Sequence, residues 1–248
     1  DKSKRLRKKR IVAGMQKLSE EVKESSTMRK VSLVQLEAAC QEALRNRGEL
    51  PDELKYLAGI NRLDFLFVDP EKKEIVIAGP AEPFVPDALG RIVGVYSGRP
   101  PLRLDDLVVA LRVAEQGNTV GCSIDPVPER LFRLQNYIRK NSSPASVSVA
   151  KGRYHTMARV LGNQTVNLWG IPPESHFAQA LTEADIHMKR LSMGLERVKV
   201  RGFRSYLSMI TPNGNSMQRW WFVPFYDDIH ISEDENAYQF LGQRAKLM

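Results

Sequence analysis

The side chains that most often carry catalysis or hold metals are scarce in this chain. Its 248 residues include 2 Cys and 4 His. Cys40 and Cys122 lie far apart, with no C-x-x-C or Cys/His spacing of the zinc-binding kind. Both are expected as buried thiols, Cys40 on the apolar side of a helix and Cys122 in a strand. Spacing alone leaves open whether they converge into a disulfide. His176 and His187 fall on nearly the same helix face but roughly 16 Å apart along its axis. They cannot share an ion whose bonds are about 2 Å long. His155 and His230 stand apart from them. No metal and no cofactor is expected. Also missing are the G-x-x-x-x-G-K-[ST] phosphate loop, G-x-G-x-x-G, G-x-S-x-G and H-E-x-x-H. These gaps weaken nucleotide-binding, hydrolase and zinc-protease readings and lean the expectation away from an enzyme, while an unusual active site stays open. No apolar run approaches the ~18–20 residues that cross a bilayer.

What the chain does contain is ordinary for a folded protein: 42% hydrophobic residues, 27% charged, 16 Gly and 14 Pro. That composition excludes collagen, a coiled-coil rod, a disulfide scaffold and a fully disordered chain. The charge is unevenly placed. The formal net charge is +8, and residues 1–10, DKSKRLRKKR, hold seven Lys/Arg against one Asp. The rest of the chain sums to only +2. Lys4, Arg5, Arg7, Lys8, Lys9 and Arg10 are therefore candidate anion contacts. Nucleic acid, phospholipid and an acidic neighbouring subunit all fit such an arm, and a merely solvated tail fits it too.

Periodicity gives an α+β fold, with antiparallel or mixed sheets covered by helices and a helical N-terminal extension. Residues 11–23 place Ile11, Met15, Leu18 and Val22 at heptad-like spacing, a narrow seam suited to docking on a partner helix. Ser32 with Gln35 predicts a capping box opening a helix that Gly48 ends. Strands are predicted at 63–68, 74–78 and 91–96, the three forming an antiparallel meander, with the Pro-rich stretch 80–86 as loop. A helix follows, capped by Asp105, then a strand at 119–124 and a helix at 128–140. The polar, small-residue stretch 141–153 is the best linker candidate. Beyond it come a short helix at 154–161, a strand at 165–169 and the longest helix at 173–193. An aromatic strand at 219–226 contains Pro224, which suggests a sheet edge, with 229–241 returning beside it. The organisation expected is a basic arm and amphipathic helix (1–29), a first α+β subdomain (30–140), the linker, and a second α+β subdomain (154–248). Strand–Pro–Pro-Glu–helix occurs at 119–140 and again at 165–193, so two similar subdomains are one arrangement.

Few residues stand out as chemistry. Glu183 and His187 are i,i+4 neighbours suited to a charge-assisted pair, whether on a solvated helix face, at an assembly contact or as an acid–base pair. Asp105-Asp106 reads as helix capping and Asp227-Asp228 as a turn. Arg219-Trp220-Trp221 is the densest aromatic feature. Consecutive strand residues point to opposite faces, so one Trp packs inward while the other faces a helix, a partner or a ligand.

Several stretches together resemble a known family. They include Lys30-Val31-Ser32-Leu33, Pro51-Asp52-Glu53-Leu54-Lys55-Tyr56-Leu57-Ala58-Gly59, Ile77-Ala78-Gly79-Pro80-Ala81-Glu82 and Gly98-Arg99-Pro100. Leu104-Asp105-Asp106-Leu107, Cys122-Ser123-Ile124-Asp125-Pro126, Ile171-Pro172-Pro173-Glu174-Ser175-His176-Phe177, Met188-Lys189-Arg190-Leu191 and Arg219-Trp220-Trp221 complete the set. The chain resembles, over about residues 30–248, uncharacterised and mostly planctomycete bacterial proteins carried under a domain-of-unknown-function label. The resemblance implies secretion to the periplasm or beyond, with a signal peptide upstream of Asp1. It brings no activity, cofactor or catalytic residue. Ile186-His187 departs from the Tyr-Arg associated with that family, which counts against essential chemistry at His187.

The expected function is that of a non-enzymatic structural or assembly protein of the cell envelope. It would form homo-oligomers or dock on other envelope proteins through its N-terminal helix and aromatic edge. Ile11, Met15, Leu18, Val22, Trp169, His176, Arg219, Trp220 and Trp221 are the candidate interface and binding residues. Two alternatives stay open. One is a binding module or enzyme for an extracellular carbohydrate polymer, with Trp169, Trp220 and Trp221 as stacking platform and Glu174 or Asp105 as acid. The other is nucleic-acid binding through the basic arm.

Overall fold

The structure is a computed structural model that describes residues 2–196, 205, 222–224, 229–241 and 245–247, with backbone alone at 2–4, 7, 47, 222–224 and 245–247. The chain divides into two units, residues 1–108 with 216–248, and residues 109–215.

In the first unit the basic segment is helical. Helix α1 runs from Lys2 to Met15, a turn follows, and α2 spans Glu20–Lys23. One continuous helix over 11–23 was the sequence expectation. The break falls at Gln16–Ser19, and the Ser19 N–H is taken by the Glu53 carboxylate. Strand β1 (Ser26–Ser32) then leads directly into α3 (Leu33–Arg47). The Ser32 hydroxyl accepts the Gln35 N–H at 3.1 Å, and Gly48 closes the helix in the left-handed conformation, as the capping pattern implied. Helix α4 (Asp52–Lys55) and a 3-10 turn (Leu57–Gly59) follow.

Strands β2 (Phe65–Asp69) and β3 (Glu74–Ala81) make the expected hairpin. Its turn is held by the Asp69 carboxylate, which accepts from the Lys72 N–H at 3.0 Å and its Nζ at 2.9 Å. The next two strands correct the expected meander. The Pro-rich stretch contains β4 (Phe84–Pro86), and β5 (Ile92–Gly94) pairs with it rather than with β3. Asp87 accepts from the N–H groups of Leu89 and Arg91 and from the Arg91 guanidinium, so this small hairpin closes locally. Helix α5 (Leu104–Glu115) carries the chain past Val108.

Among the described residues of the second unit, β6 (Gly121–Asp125) leads to α6 (Pro128–Lys140) and α7 (Val147–Leu161), then to β7 (Thr165–Trp169) and α8 (His176–Met193). Strands β6 and β7 pair antiparallel as a two-stranded ribbon, joined through the two helices. The stretch read as linker at 141–153 includes the first two turns of α7. Helix α8 begins after Pro172-Pro173-Glu174, where the Ser175 hydroxyl accepts the Ala178 N–H. Back in the first unit, β8 (Phe222–Pro224) pairs with β11 (Ala245–Leu247). Between them in sequence, β9 (Ile229–Ile231) and β10 (Ala237–Phe240) add to β2, giving a sheet in the order β1-β3-β2-β10-β9, antiparallel throughout. Residues 229–241 therefore extend the large sheet instead of returning beside the aromatic strand. The α+β expectation stands.

Each unit has its own core. In the first, Leu36 of α3, Leu57 and Ile77 of β3 are buried together, with Cys40, Leu66 and Leu107 packed against them. Its second cluster is Leu18, Val22 and Phe84. In the second unit Val113, Ile171 and Ala178 are buried, with Leu168 of β7 and Phe177 and Leu181 of α8 around them. Cys40 and Cys122 are free thiols. Burial raises the pKa of each, and for Cys122 the nearby Asp185 raises it further.

Candidate functional site

The stretches at 51–59 and 77–82 meet in a polar lock inside the first unit, where the Glu82 N–H donates to the Gly59 carbonyl. Arg29, on β1, is only 6% exposed. Its guanidinium donates to the carbonyls of Ala58 at 2.7 Å, Glu21 at 2.7 Å and Glu24 at 2.6 Å. Burial lowers its pKa, an effect opposed by the charges of Glu21, Glu24 and Glu53. Glu82 is also 6% exposed. Its carboxylate accepts from the N–H groups of Tyr96 at 2.7 Å and Ser97 at 3.0 Å and from the Ser97 hydroxyl. Both charges bind backbone groups, so the lock holds the α2–β1 and 3-10 segments and the β5 turn in place. It presents nothing to a ligand. No local pattern in the sequence marks Arg29 or Glu82 as buried, since their partners lie in other segments.

Helix α1 offers a surface instead. Its inner side meets β4. Gly14 sits so close that a Cβ there would lie 2.5 Å from Val85 Cγ1. Ile11 and Met15 are half-buried, while Leu18 and Val22 are buried against this chain's own Phe84. The seam read as a partner contact is thus used within the first unit at its C-terminal end. The outer side carries Arg5, Lys8, Lys9, Val12 and Gln16, which line a shallow basic groove of about 380 Å³. The spacing is i, i+3, i+4, i+7 and i+11, a single helix face. Arg5, Lys8, Lys9 and Arg10 are exposed. Among the described residues no carboxylate pairs with any of these four. The side chains of Lys4 and Arg7 lie outside the described residues.

The other predicted residues do not converge. Arg219, Trp220 and Trp221 lie outside the described residues, as do Asp227 and Asp228. His176 opens α8 and is half-buried. His187 does not pair with Glu183. Its Nδ1 lies 3.0 Å from Glu196, whose other carboxylate oxygen takes the Arg190 Nε–H, while Glu183 accepts from Gln179. The left-handed Gly194 turns the chain back and brings Glu196 beside the helix end, so proximity in space overrides i,i+4 spacing. Asp105 lies inside the first turn of α5, one residue past its start, and its carboxylate accepts from the Arg103 guanidinium and from the Asp106 N–H at 3.2 Å. Among the described residues no group of three or more His, Cys, Asp or Glu could hold a metal ion. No described helix is long and apolar enough to cross a membrane.

Trp169 ends β7 directly opposite Gly121 and is 46% exposed. A side chain at Gly121 would collide with the indole, which occupies that space. Along the same ribbon face, Asp125 accepts from the Ser123 hydroxyl at 2.6 Å and from Asn167 Nδ2 at 3.1 Å. The second unit also exposes apolar side chains on its helix pair. A groove of about 760 Å³ is lined by Phe132, Tyr137, Lys140 and Val160, among others. Phe132 on α6 and Tyr154 on α7 are 64% and 69% exposed.

A family described as a protein of unknown function (DUF1598) matches residues 122–206, about a third of the chain. The match takes in the stretches at 122–126, 171–177 and 188–191 quoted above and not those at 30–107 or 219–221. No curated protein and no solved structure matches the chain. What this chain is similar to, then, is a family of unknown function, and the similarity lies on the β6 to α8 portion of its second unit.

Proposed function

We propose that this chain is a non-enzymatic attachment protein of the cell envelope, working in the periplasm or outside the cell. Its first unit fixes α1 as a rigid cationic rod that docks on an anionic surface, and its second unit pairs with a further copy. The observation that carries this reading is the outer face of α1. It holds exposed cations that have no carboxylate partner among the described residues, while the inner face is seated on β4 through Gly14. A helix so seated presents its charges in a fixed row, which suits a dense negative surface. Each Lys or Arg near an anionic bilayer is worth about 1 kcal/mol. The secretion that the sequence resemblance implies fits the envelope location.

Self-association is supported by the α6–α7 face. Helix α6 starts with Glu129 and ends with Arg139 and Lys140 around the exposed Phe132. A two-fold copy laid antiparallel brings the two Phe132 rings together. It sets Glu129 of each helix against the Arg139–Lys140 end of the other, offsetting part of the like-charge repulsion among Arg130 and Arg133. Sedimentation velocity tests this part. A dimer that Phe132→Ser dissolves is the expected result, and a monomer at high protein concentration contradicts it.

The same basic face would also suit nucleic acid, so docking is tested with both. Co-sedimentation with phosphatidylglycerol vesicles, lost at high salt and absent with phosphatidylcholine, supports the reading. Tighter binding to duplex DNA than to the vesicles favours the nucleic-acid alternative.

A further inference from the structure

The β6–β7 ribbon has two unlike faces. Antiparallel partners point the same way, so Cys122, Ile124, Val166 and Leu168 share one face and Gly121, Ser123, Asp125, Thr165, Asn167 and Trp169 the other. The first is the packed face. Cys122 Sγ reaches the Leu181 carbonyl at 3.9 Å, and Leu168 joins the core. The second holds no aliphatic side chain. It combines one aromatic ring with hydroxyl, amide and carboxylate groups.

We infer that this second face binds an uncharged pyranose chain, with one sugar stacked on Trp169 and its neighbour hydrogen-bonded at Asn167 and Asp125. The indole rests over Gly121, which fixes it without burying it. Its electron-rich face attracts the weakly positive axial C–H groups of an equatorially substituted sugar ring. Asn167 lies two residues back, about 7 Å along the strand, within reach of an adjoining sugar. Asn167 Nδ2 and Asp125 Oδ2 are 3.1 Å apart, so a donor and an acceptor stand side by side. Asp125 Oδ1 and the second amide hydrogen of Asn167 have no partner among the described residues. Together they can accept from one sugar hydroxyl and donate to the next. The carboxylate also selects by charge. It repels phosphate, which disfavours nucleic acid on this face. Hydrogen bonds from Ser123 and then Asn167 hold its pKa below the ordinary carboxylate range, keeping it ionised at neutral pH.

The test is isothermal titration of the full chain with cellotetraose and with chitotetraose, which share a flat β-1,4-linked ring face and differ at C2. At least one is expected to bind. Trp169→Ala should abolish the heat, and Asn167→Ala should weaken binding about three- to tenfold, the value of one hydrogen bond. Should Trp169→Ala fail to fold, Asn167→Ala and Asp125→Ala decide. The charge reversals Arg5→Glu, Lys8→Glu and Lys9→Glu should leave sugar binding unchanged, so this inference can fail while the docking of α1 stands. No binding at millimolar sugar, binding that survives Trp169→Ala or both polar variants, or capture of a peptide or polyphosphate in place of the sugars overturns it.

Discussion

Arg29 is a buried charge that ties the α2–β1 segment of the first unit to its 3-10 turn. Three backbone carbonyls converge on it, two from the end of α2 and one from the 3-10 turn. Replacing it with Met keeps most of the volume and strands those carbonyls out of water. The expected loss is about 3 kcal/mol, read as a lower urea midpoint. Arg29→Lys should recover only part of it, because an ammonium cannot reproduce the planar fork. A change below about 0.5 kcal/mol for Arg29→Met would show that the lock is incidental. Four hydrogen-bonded aspartates give a pH dependence of definite sign. Asp69, Asp87, Asp125 and Asp234 all lie below the ordinary carboxylate range. The largest causes are hydrogen bonds from Lys72, Arg91, Ser123 and Ser232 respectively. The folded state therefore binds fewer protons than the unfolded one. The stabilisation is complete above the ordinary value near 3.9 and disappears as pH falls through the lowered folded values. The urea midpoint should be flat from pH 7 to 5 and drop below pH 4. A midpoint that rises on acidification would contradict this.

At the scale of elements, α1 depends on one close approach. Gly14→Leu forces a side chain into Val85, an overpacking expected to cost about 1–3 kcal/mol. Hydrogen exchange should show α1 and α2 losing protection before the sheet does. If α1 amides exchange at the same rate in both proteins, the helix is not seated by that contact. Most helices were legible in the sequence. Residues 128–140 match α6, and the starts and stops at Ser32, Gly48 and Gly194 hold because capping is local chemistry. So were the β2–β3 hairpin and β7. Strand β1 was not, because its inward residue is the charged Arg29. Its burial depends on carbonyls such as that of Ala58, far along the chain, which no local pattern displays. The pairing of β5 with β4, and of β10 with β2, is likewise a tertiary outcome. Of the candidate residues, the exposed basic row could be read from composition. The use of Leu18 and Val22 against Phe84, and the seat of Trp169 on Gly121, required the register of strands distant in sequence.

For the whole molecule, the chain combines a sheet-based unit that fixes a cationic helix with a second unit that exposes one face of its ribbon and apolar side chains on its helix pair. Docking by α1 is the central claim, and its most direct test is the affinity of the full chain for phosphatidylglycerol vesicles at low salt. The comparison is with Arg5→Glu, Lys8→Glu and Lys9→Glu combined. Three reversed charges, at about 1 kcal/mol each for loss alone, should weaken binding by at least about 100-fold. The urea midpoint should not change, since these side chains make no ion pair among the described residues. Equal affinity for wild type and variant, or no vesicle binding by the wild type, would contradict the account.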